Sequence, residues 1–253
     1  MIKRLFATFL LLISSNYTLA YGDLGHKMVA AAAWPQLSPY AKHKVQQILG
    51  FGKEDFIDAS VWADHIKSNP EFNYLKPLHY VNLAKGASQY NKQRDCADSQ
   101  CVVEAIHKYS GHAQSDSQQE QVVGLRMLIH LIADLHQPLH AGFSHDRGGN
   151  WYDVKYKGSR INLHKFWDHI LPKRLSEEWQ TGATKIMQVP SGVEVGTPEL
   201  WATHSHGLVK HWVYKADENQ EVSDAYLEKA DEINKRQLSL AAWRLAMWLN
   251  KLW

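Results

Sequence analysis

The stretch HLIADLHQPLHAGFSHDRGGN, residues 130–150, concentrates four histidines, two aspartates and three glycines. His130 and Asp134 are four residues apart, so on a helix they project from one face and can grip a single cation. NLHKFWD repeats the device with His164 and Asp168. A histidine four residues from an aspartate is also common on solvated helix faces, so one pair alone says little. Two pairs together with His140 say more. Pro138 cannot continue the helix, and the chain turns just where this further imidazole stands. His140, His164 and Asp168 have the nitrogen and oxygen donors of an open zinc site, with three protein ligands and a position left for water or substrate.

Further donors lie upstream. Asp64 follows Trp62 and Ala63 in an apolar stretch where an unpaired buried carboxylate would be costly, the alternative being a solvent-facing helix carboxylate. KPLHYVN offers His79. His26 depends on the start of the chain. Lys3 and Arg4, the apolar run Leu5–Ile13 and the small-residue end Thr18-Leu19-Ala20 read as a signal peptide over residues 1–20. An uncleaved membrane anchor is disfavoured by the polar residues from Ser14 onward. Cleavage after Ala20 would free the amine of Tyr21, whose nitrogen and carbonyl could chelate a metal alongside His26.

These donors need a rigid frame, and the chain has the means to build one. Of 253 residues 45% are hydrophobic and ten are tryptophan, ample for one large core. No composition shift or linker marks a second domain, so residues 21–253 read as one. Loss of Lys3 and Arg4 takes the formal charge from +2 to about zero, which excludes binding of nucleic acid or anionic membrane by global basicity. The two cysteines, Cys96 and Cys101, suit a small-loop disulfide in an exported chain, with free buried thiols as the alternative. Any zinc must then be held through nitrogen and oxygen.

Helical periodicity dominates, and the expected class is all-α. GHKMVAAAAW, SPYAKHKVQQILG and DFIDASVWADHIK each read as a helix, the last with Phe56, Ala59, Val61 and Trp62 toward the core. Two more are expected over 101–109 and 117–135, and HKFWDHIL returns to helix. The region 176–215 reads as helical with loops at 188–197, and the last thirty-one residues as one long amphipathic helix or two. The one clear hairpin signal is NWYDVKYKGSRINL, turning at Lys157-Gly158-Ser159.

Taken together, YGDLGH, ASVWAD, LHYVN, CADSQCVVEAI, HLIADLHQPLH, GGN and NLHKFWD resemble, in order, the motifs of the zinc-dependent single-strand-specific nucleases of fungi, plants and bacteria, which share a fold with bacterial zinc phospholipases C. The resemblance runs from residue 21 to 168 and implies a mainly helical fold with three zinc ions in a cleft. It implies that Asp64, His79, His130 and Asp134 hold one zinc. Tyr21 and His26 would hold a second, with Asp134 bridging the two. His140, His164 and Asp168 would hold the third. The implied activity is an endonuclease and 3′-nucleotidase that hydrolyses single-stranded DNA and RNA to 5′-phosphates, in the periplasm or outside the cell. Asp64, Lys67 and Asn150 are the catalytic candidates, with Tyr80 and Asn82 facing the base.

The chain departs from that pattern at three places. Tyr21 stands where tryptophan is usual, Lys67 where many members carry arginine, and Asn82 where fungal members carry aspartate. Lysine is a point charge without the bidentate fork of arginine, and asparagine offers both a donor and an acceptor to a base. An ordinary turn is the alternative for Gly148-Gly149-Asn150, and a core aromatic for Tyr80. The rival functions are a zinc phospholipase C using the same ions, and a non-catalytic zinc protein with closed four-ligand sites. Several histidines stand outside the ligand pattern. His136, His145, His43, His107 and His112 read as surface, and His65 and His169 as pointing away from the aspartates they follow. The cluster His204, His206 and His211 cannot place its first two members on one helical face.

Overall fold

The computed structural model describes residues 21–50, 52–67, 69–188 and 192–253; the expected signal segment 1–20 lies outside them. The class is all-α. Helices α1 (Gly22–Ala33), α2 (Pro39–Leu49), α3 (Lys53–Ala59), α4 (Trp62–Ile66), α5 (Lys92–Asp95), α6 (Val102–Ala113) and α7 (Gln118–His136) precede a hairpin of β1 (Asp153–Tyr156) and β2 (Ser159–Asn162). Then come α8 (Leu163–Lys165), a π-turn at Phe166–Ile170, α9 (Leu171–Leu175), α10 (Trp179–Ile186), α11 (Pro198–His211) and α12 (Asp224–Leu252).

Helix α7 is the axis of the fold. Ser117 caps it, accepting from the Glu120 amide at 3.4 Å, and Pro138 ends it. From Met127 to His136 every residue is buried, so this helix is covered all round and carries His130 and Asp134 into the interior. Gly124 permits close crossing with α6, since a Cβ there would lie 2.5 Å from the Ala113 backbone nitrogen. Helices α1 and α12 close on the other sides. The main apolar cluster runs through α1, α6, α7 and α12 and includes Leu135 and Ala141. A second one, around Leu139, Val154, Phe166, Trp167 and Leu171, unites the hairpin with the π-turn. Asp134 and His140 therefore stand at the seam between the two clusters.

The hairpin pairs Asp153 with Asn162 through to Tyr156 with Ser159. Lys157 and Gly158 at its turn have φ of 51° and 75°, the pair of positive values a type I′ turn needs.

Two expectations about the elements are corrected, and one element was not foreseen. DFIDASVWADHIK is two helices, because the Ser60 amide and hydroxyl both turn back to the Ile57 carbonyl and close α3. Residues Pro70–His79 form 3₁₀ turns around Pro77 that the apolar pattern did not signal. HKFWDHIL widens to a π-turn at Asp168, where the sequence reads as plain α-helix. The C-terminal segment is one helix of 29 residues.

Candidate metal centre

Four donors meet where α4, the end of the 3₁₀ turns and α7 converge. His79 Nδ1 lies 2.9 Å from Asp134 Oδ2, 3.0 Å from His130 Nε2 and 3.8 Å from Asp64 Oδ1. His130 Nε2 lies 3.1 Å from Asp134 Oδ2 and 3.5 Å from Asp64 Oδ1. A tetrahedron with zinc-like bonds has edges of about 3.3 Å, so these separations match a shared cation. The other carboxylate oxygen of Asp134, Oδ1, lies 3.3 Å from His26 Nε2 on α1. One carboxylate thus turns one oxygen to each of two donor groups. The His26 ring stacks on that of His130 with centroids 3.9 Å apart. Tyr21, fully buried at the N-cap of α1, packs edge-on to His26 at 6.4 Å, and its hydroxyl donates to the His136 carbonyl at 3.4 Å.

A separate group lies across the seam. His164 Nε2 is 3.3 Å from Asp168 Oδ2, and His140 Nε2 is 3.7 Å from Asp168 Oδ1. The π-turn still places His164 and Asp168 face to face. Among the described residues, three sets of histidine and aspartate atoms lie close enough to hold a metal ion: His26/Asp64/His130, His79/His130/Asp134 and His140/His164/Asp168.

The backbone aims these imidazoles. His130 Nδ1 donates to the Ser60 carbonyl at 2.7 Å, His140 Nδ1 to the His79 carbonyl at 2.8 Å, and His164 Nδ1 to the Gly148 carbonyl at 2.7 Å. In each case Nε2 is left to face the carboxylates, the arrangement that fixes the tautomer of a metal-binding histidine. The strand-like run after His79 is tied to the run after His140, with Val81 N donating to His140 O and Leu83 N to Gly142 O, both at 2.8 Å.

Both nitrogens of His26, Nε2 of His79 and His140, and one oxygen each of Asp64, Asp134 and Asp168 are buried with no hydrogen-bond partner. Native proteins rarely leave so many buried polar atoms unmatched in one place. An all-nitrogen-and-oxygen donor set with these unmatched atoms fits a first-row divalent ion. The titration behaviour agrees. Burial opposes charge on His130, yet the Asp134 and Asp64 carboxylates lift its imidazole to about 10. Burial likewise opposes charge on Asp134, but His130 and His140 hold its carboxyl well below the usual range. Burial and the nearby Lys67 ammonium push His79 down to about 4. The Asp64 and Asp134 carboxylates thus put local negative charge beside His130, while Lys67 opposes it at His79.

The other candidates lie around this centre. Lys67 is nearly buried and donates to Asp64 Oδ1. Asn82 lines the seam: a Cβ on Gly148 would lie 3.5 Å from its Oδ1 and 3.6 Å from His164 Nδ1. Tyr80 follows His79 and is 40% exposed, so it is not the core aromatic that was the alternative. Asn150 turns its amide to the Arg147 carbonyl at 2.9 Å, bracing its own turn. Cys96 and Cys101 form a disulfide.

Two of the set-aside histidines are buried rather than exposed. His136 is in the core: Nδ1 donates to the Ile132 carbonyl at 2.7 Å and Nε2 accepts from Arg244 at 2.9 Å. Lone imidazoles on apolar helices read as surface only until a partner from a distant helix appears, here α12. His206 is likewise buried, donating to the Ala141 carbonyl at 2.8 Å, while His204 on the same helix is exposed. Sequence reasoning missed Gln137, whose Nε2 donates to Asp168 Oδ1 at 2.6 Å and whose Oε1 accepts from the Leu139 amide at 2.5 Å. Its place between two donor motifs was the only available signal.

Comparison with known proteins gives the family. The S1/P1 Nuclease profile matches residues 21–253. The chain is 27% identical to Nuclease S1 of Aspergillus oryzae over 93% of both chains. It is 27% identical to Nuclease P1 of Penicillium citrinum over 92% of this chain and 97% of the relative. It is also 27% identical to Endonuclease 2 of Arabidopsis thaliana, over 92% of this chain and 90% of the relative. With a profile that spans nearly the whole described chain, the protein belongs to the S1/P1 nuclease family.

Proposed function

We propose that the protein is an exported, zinc-dependent endonuclease and 3′-nucleotidase that cleaves single-stranded DNA and RNA to 5′-phosphate products. The observation that carries the reading is Asp134, whose two oxygens face two separate sets of buried donors. Family membership makes the chain a phosphodiester hydrolase, and relatives named as nucleases favour nucleic acid over the lipid phosphodiester of a phospholipase C.

Three zinc ions are assigned to Asp64/His79/His130/Asp134, to Tyr21/His26/Asp134 and to His140/His164/Asp168. When bound, such ions bring an attacking water to its hydroxide form near neutral pH and balance charge on the phosphate. The chain's own groups do the positioning. Lys67, held by Asp64, puts a fixed positive charge beside the centre, where it offsets phosphate charge. Tyr80 offers an exposed ring to an unpaired base, and Asn82 offers a donor and an acceptor to that base's edge. The three backbone carbonyls on His130, His140 and His164 keep the imidazoles from rotating as charge builds. In the hydrolysis, water oxygen adds to phosphorus, the P–O3′ bond breaks, and O3′ leaves with a proton. A single strand is the substrate because its flexible backbone can enter a recessed site that a stiff duplex cannot.

The test is an assay of the mature chain, starting at Tyr21, on single-stranded DNA, duplex DNA, RNA, a 3′-mononucleotide and phosphatidylcholine. Zinc content is measured before and after chelation. Cleavage of single strands that chelator abolishes is expected; lipid cleavage without nucleic-acid cleavage would sink the reading.

A further inference from the structure

We propose that Arg244 and His204 form an oxyanion site in the groove between α11 and α12, outside the metal donor groups, which takes phosphate or a phosphate ester. The inference goes beyond the nuclease reading and does not rest on it.

Helices α11 and α12 both pack on α7. Gln237, Arg244 and Trp248 share one face of α12 by their spacing, and that face meets α11. The Trp248 and Trp201 rings meet edge to face at 5.4 Å, and Gln237 Nε2 lies 3.4 Å from Ser205 Oγ. Arg244 stands between these two crossings. Beneath it is His136 of α7: Gln237 donates to its carbonyl at 2.8 Å, and Arg244 Nη1 donates to its Nε2 at 2.9 Å.

Arg244 is only 3% exposed, yet among the described residues no carboxylate lies within ion-pair distance of it. Burial, and then the like charge of Arg236, push its guanidinium down to about 10. The Trp201 ring, 5.5 Å from the guanidinium carbon, offsets part of the charge but supplies no oxygen. With Nη1 spent on His136, the edge left over is Nε and Nη2. Nε is buried without a partner, and Nη2 has none among the described residues. That edge is a planar fork, the geometry that takes two oxygens of one anion. A water would satisfy Nε but leave a buried charge unneutralised, which is costly; an oxyanion does both. His204 adds a further donor. It lies one turn beyond Trp201 on α11, is exposed, and has no hydrogen bond or ion pair among the described residues. Its imidazole is held low by burial and then by Arg244, so the two groups feel each other. Glu199, the acid of α11, is engaged by His107 at 2.8 Å. A fork and an imidazole N–H from two helices suit a tetrahedral oxyanion better than a planar carboxylate.

The test is calorimetric titration of the mature chain with inorganic phosphate, and in parallel with sulfate, at fixed ionic strength. Phosphate also meets bound metal, so the readout is the part of the binding that changes at Arg244 and His204. Arg244→Gln is expected to weaken it about tenfold or more, the loss of charge-assisted hydrogen bonds. Arg244→Lys should restore only part, because a point charge has no fork. His204→Ala, at an exposed position that leaves the fold intact, should weaken it about fivefold. Binding that is unchanged in both Arg244→Gln and His204→Ala overturns the proposal, as does binding that chloride matches at equal ionic strength. An oligothymidylate separates the two sources of the ligand. Competition with phosphate that depends on Arg244 assigns the site to a nucleic-acid backbone, and absence of competition assigns it to the free anion; either upholds the site. No cleavage is measured, so failure of the oxyanion site and failure of the nuclease reading remain distinct.

Discussion

Gln137 donates to Asp168 through a 2.6 Å hydrogen bond, fully buried, one residue beyond the end of the helix that carries His130 and Asp134. The contact joins the two donor groups mechanically: the residue that ends α7 fixes the rotamer of the aspartate in the third group. Gln137 also accepts from the Leu139 amide, so the turn leading to His140 depends on the same side chain.

Replacing Gln137 with Leu is expected to loosen the His140/His164/Asp168 group. Outer partners of ligand residues typically contribute 10- to 100-fold in metal affinity. Competition titration with a chelator should show one ion released about that much more readily, with the other ions unaffected. Gln137→Glu should be worse, because it would set a carboxylate against Asp168.

Glycine substitutions separate backbone strain from site geometry. Gly148 and Gly158 both have positive φ, 65° and 75°. A Cβ on Gly158 meets nothing within 4 Å, while on Gly148 it would lie 2.5 Å from the Leu139 carbonyl. Gly158→Ala should cost about 1–2 kcal/mol, the penalty for a left-handed residue with a side chain. Gly148→Ala adds a backbone clash worth about 1–3 kcal/mol more. It also displaces the carbonyl that orients His164. Thermal melts should rank the two, and only Gly148→Ala should lower metal content.

Much of the fold was legible before any coordinates. Spacing at i and i+4 marked His130/Asp134 and His164/Asp168, and Pro138 marked the turn to His140. The hairpin at Lys157-Gly158 follows from the only tight-turn dipeptide between alternating residues. What could not be read is carried by carbonyls and distant partners. The Ser60 carbonyl that aims His130 is free because a helix breaks there, and no apolar period records the break. His136 looks like a surface imidazole until Arg244 arrives from 108 residues away. Side-chain periodicity reports which face is buried; it carries nothing about which backbone oxygen will be left over.

His136 gives a pH dependence with a definite sign. Burial, and then the neighbouring Arg244 guanidinium, push its imidazole down to about 3. The unfolded value is about 6.5, so the unfolded chain takes up a proton the native state refuses. Stability from this group is fully present above about 6.5 and is lost as pH falls toward 3, by at most about 1.4 kcal/mol per pH unit. His136→Gln removes the proton while leaving an acceptor for Arg244. Denaturant melts of both forms across that window should show the variant's slope shallower by one proton, and parallel slopes would contradict the assignment.

Asp134 is the residue whose loss should reach furthest. Its Oδ2 serves His79 and His130 at 2.9 and 3.1 Å, and its Oδ1 faces His26 at 3.3 Å. An asparagine there has one oxygen instead of two and no charge, so it cannot satisfy both groups at once. His140, His164 and Asp168 do not use it as a donor in their own group. Elemental analysis of dialysed Asp134→Asn protein should therefore find two fewer ions than the parent. Asp168→Asn should lose only one. If Asp134→Asn lost only one ion, the carboxylate would not be shared and the paired site would have to be redrawn around Asp64, which lies 3.5 Å from His130 and has one oxygen with no partner.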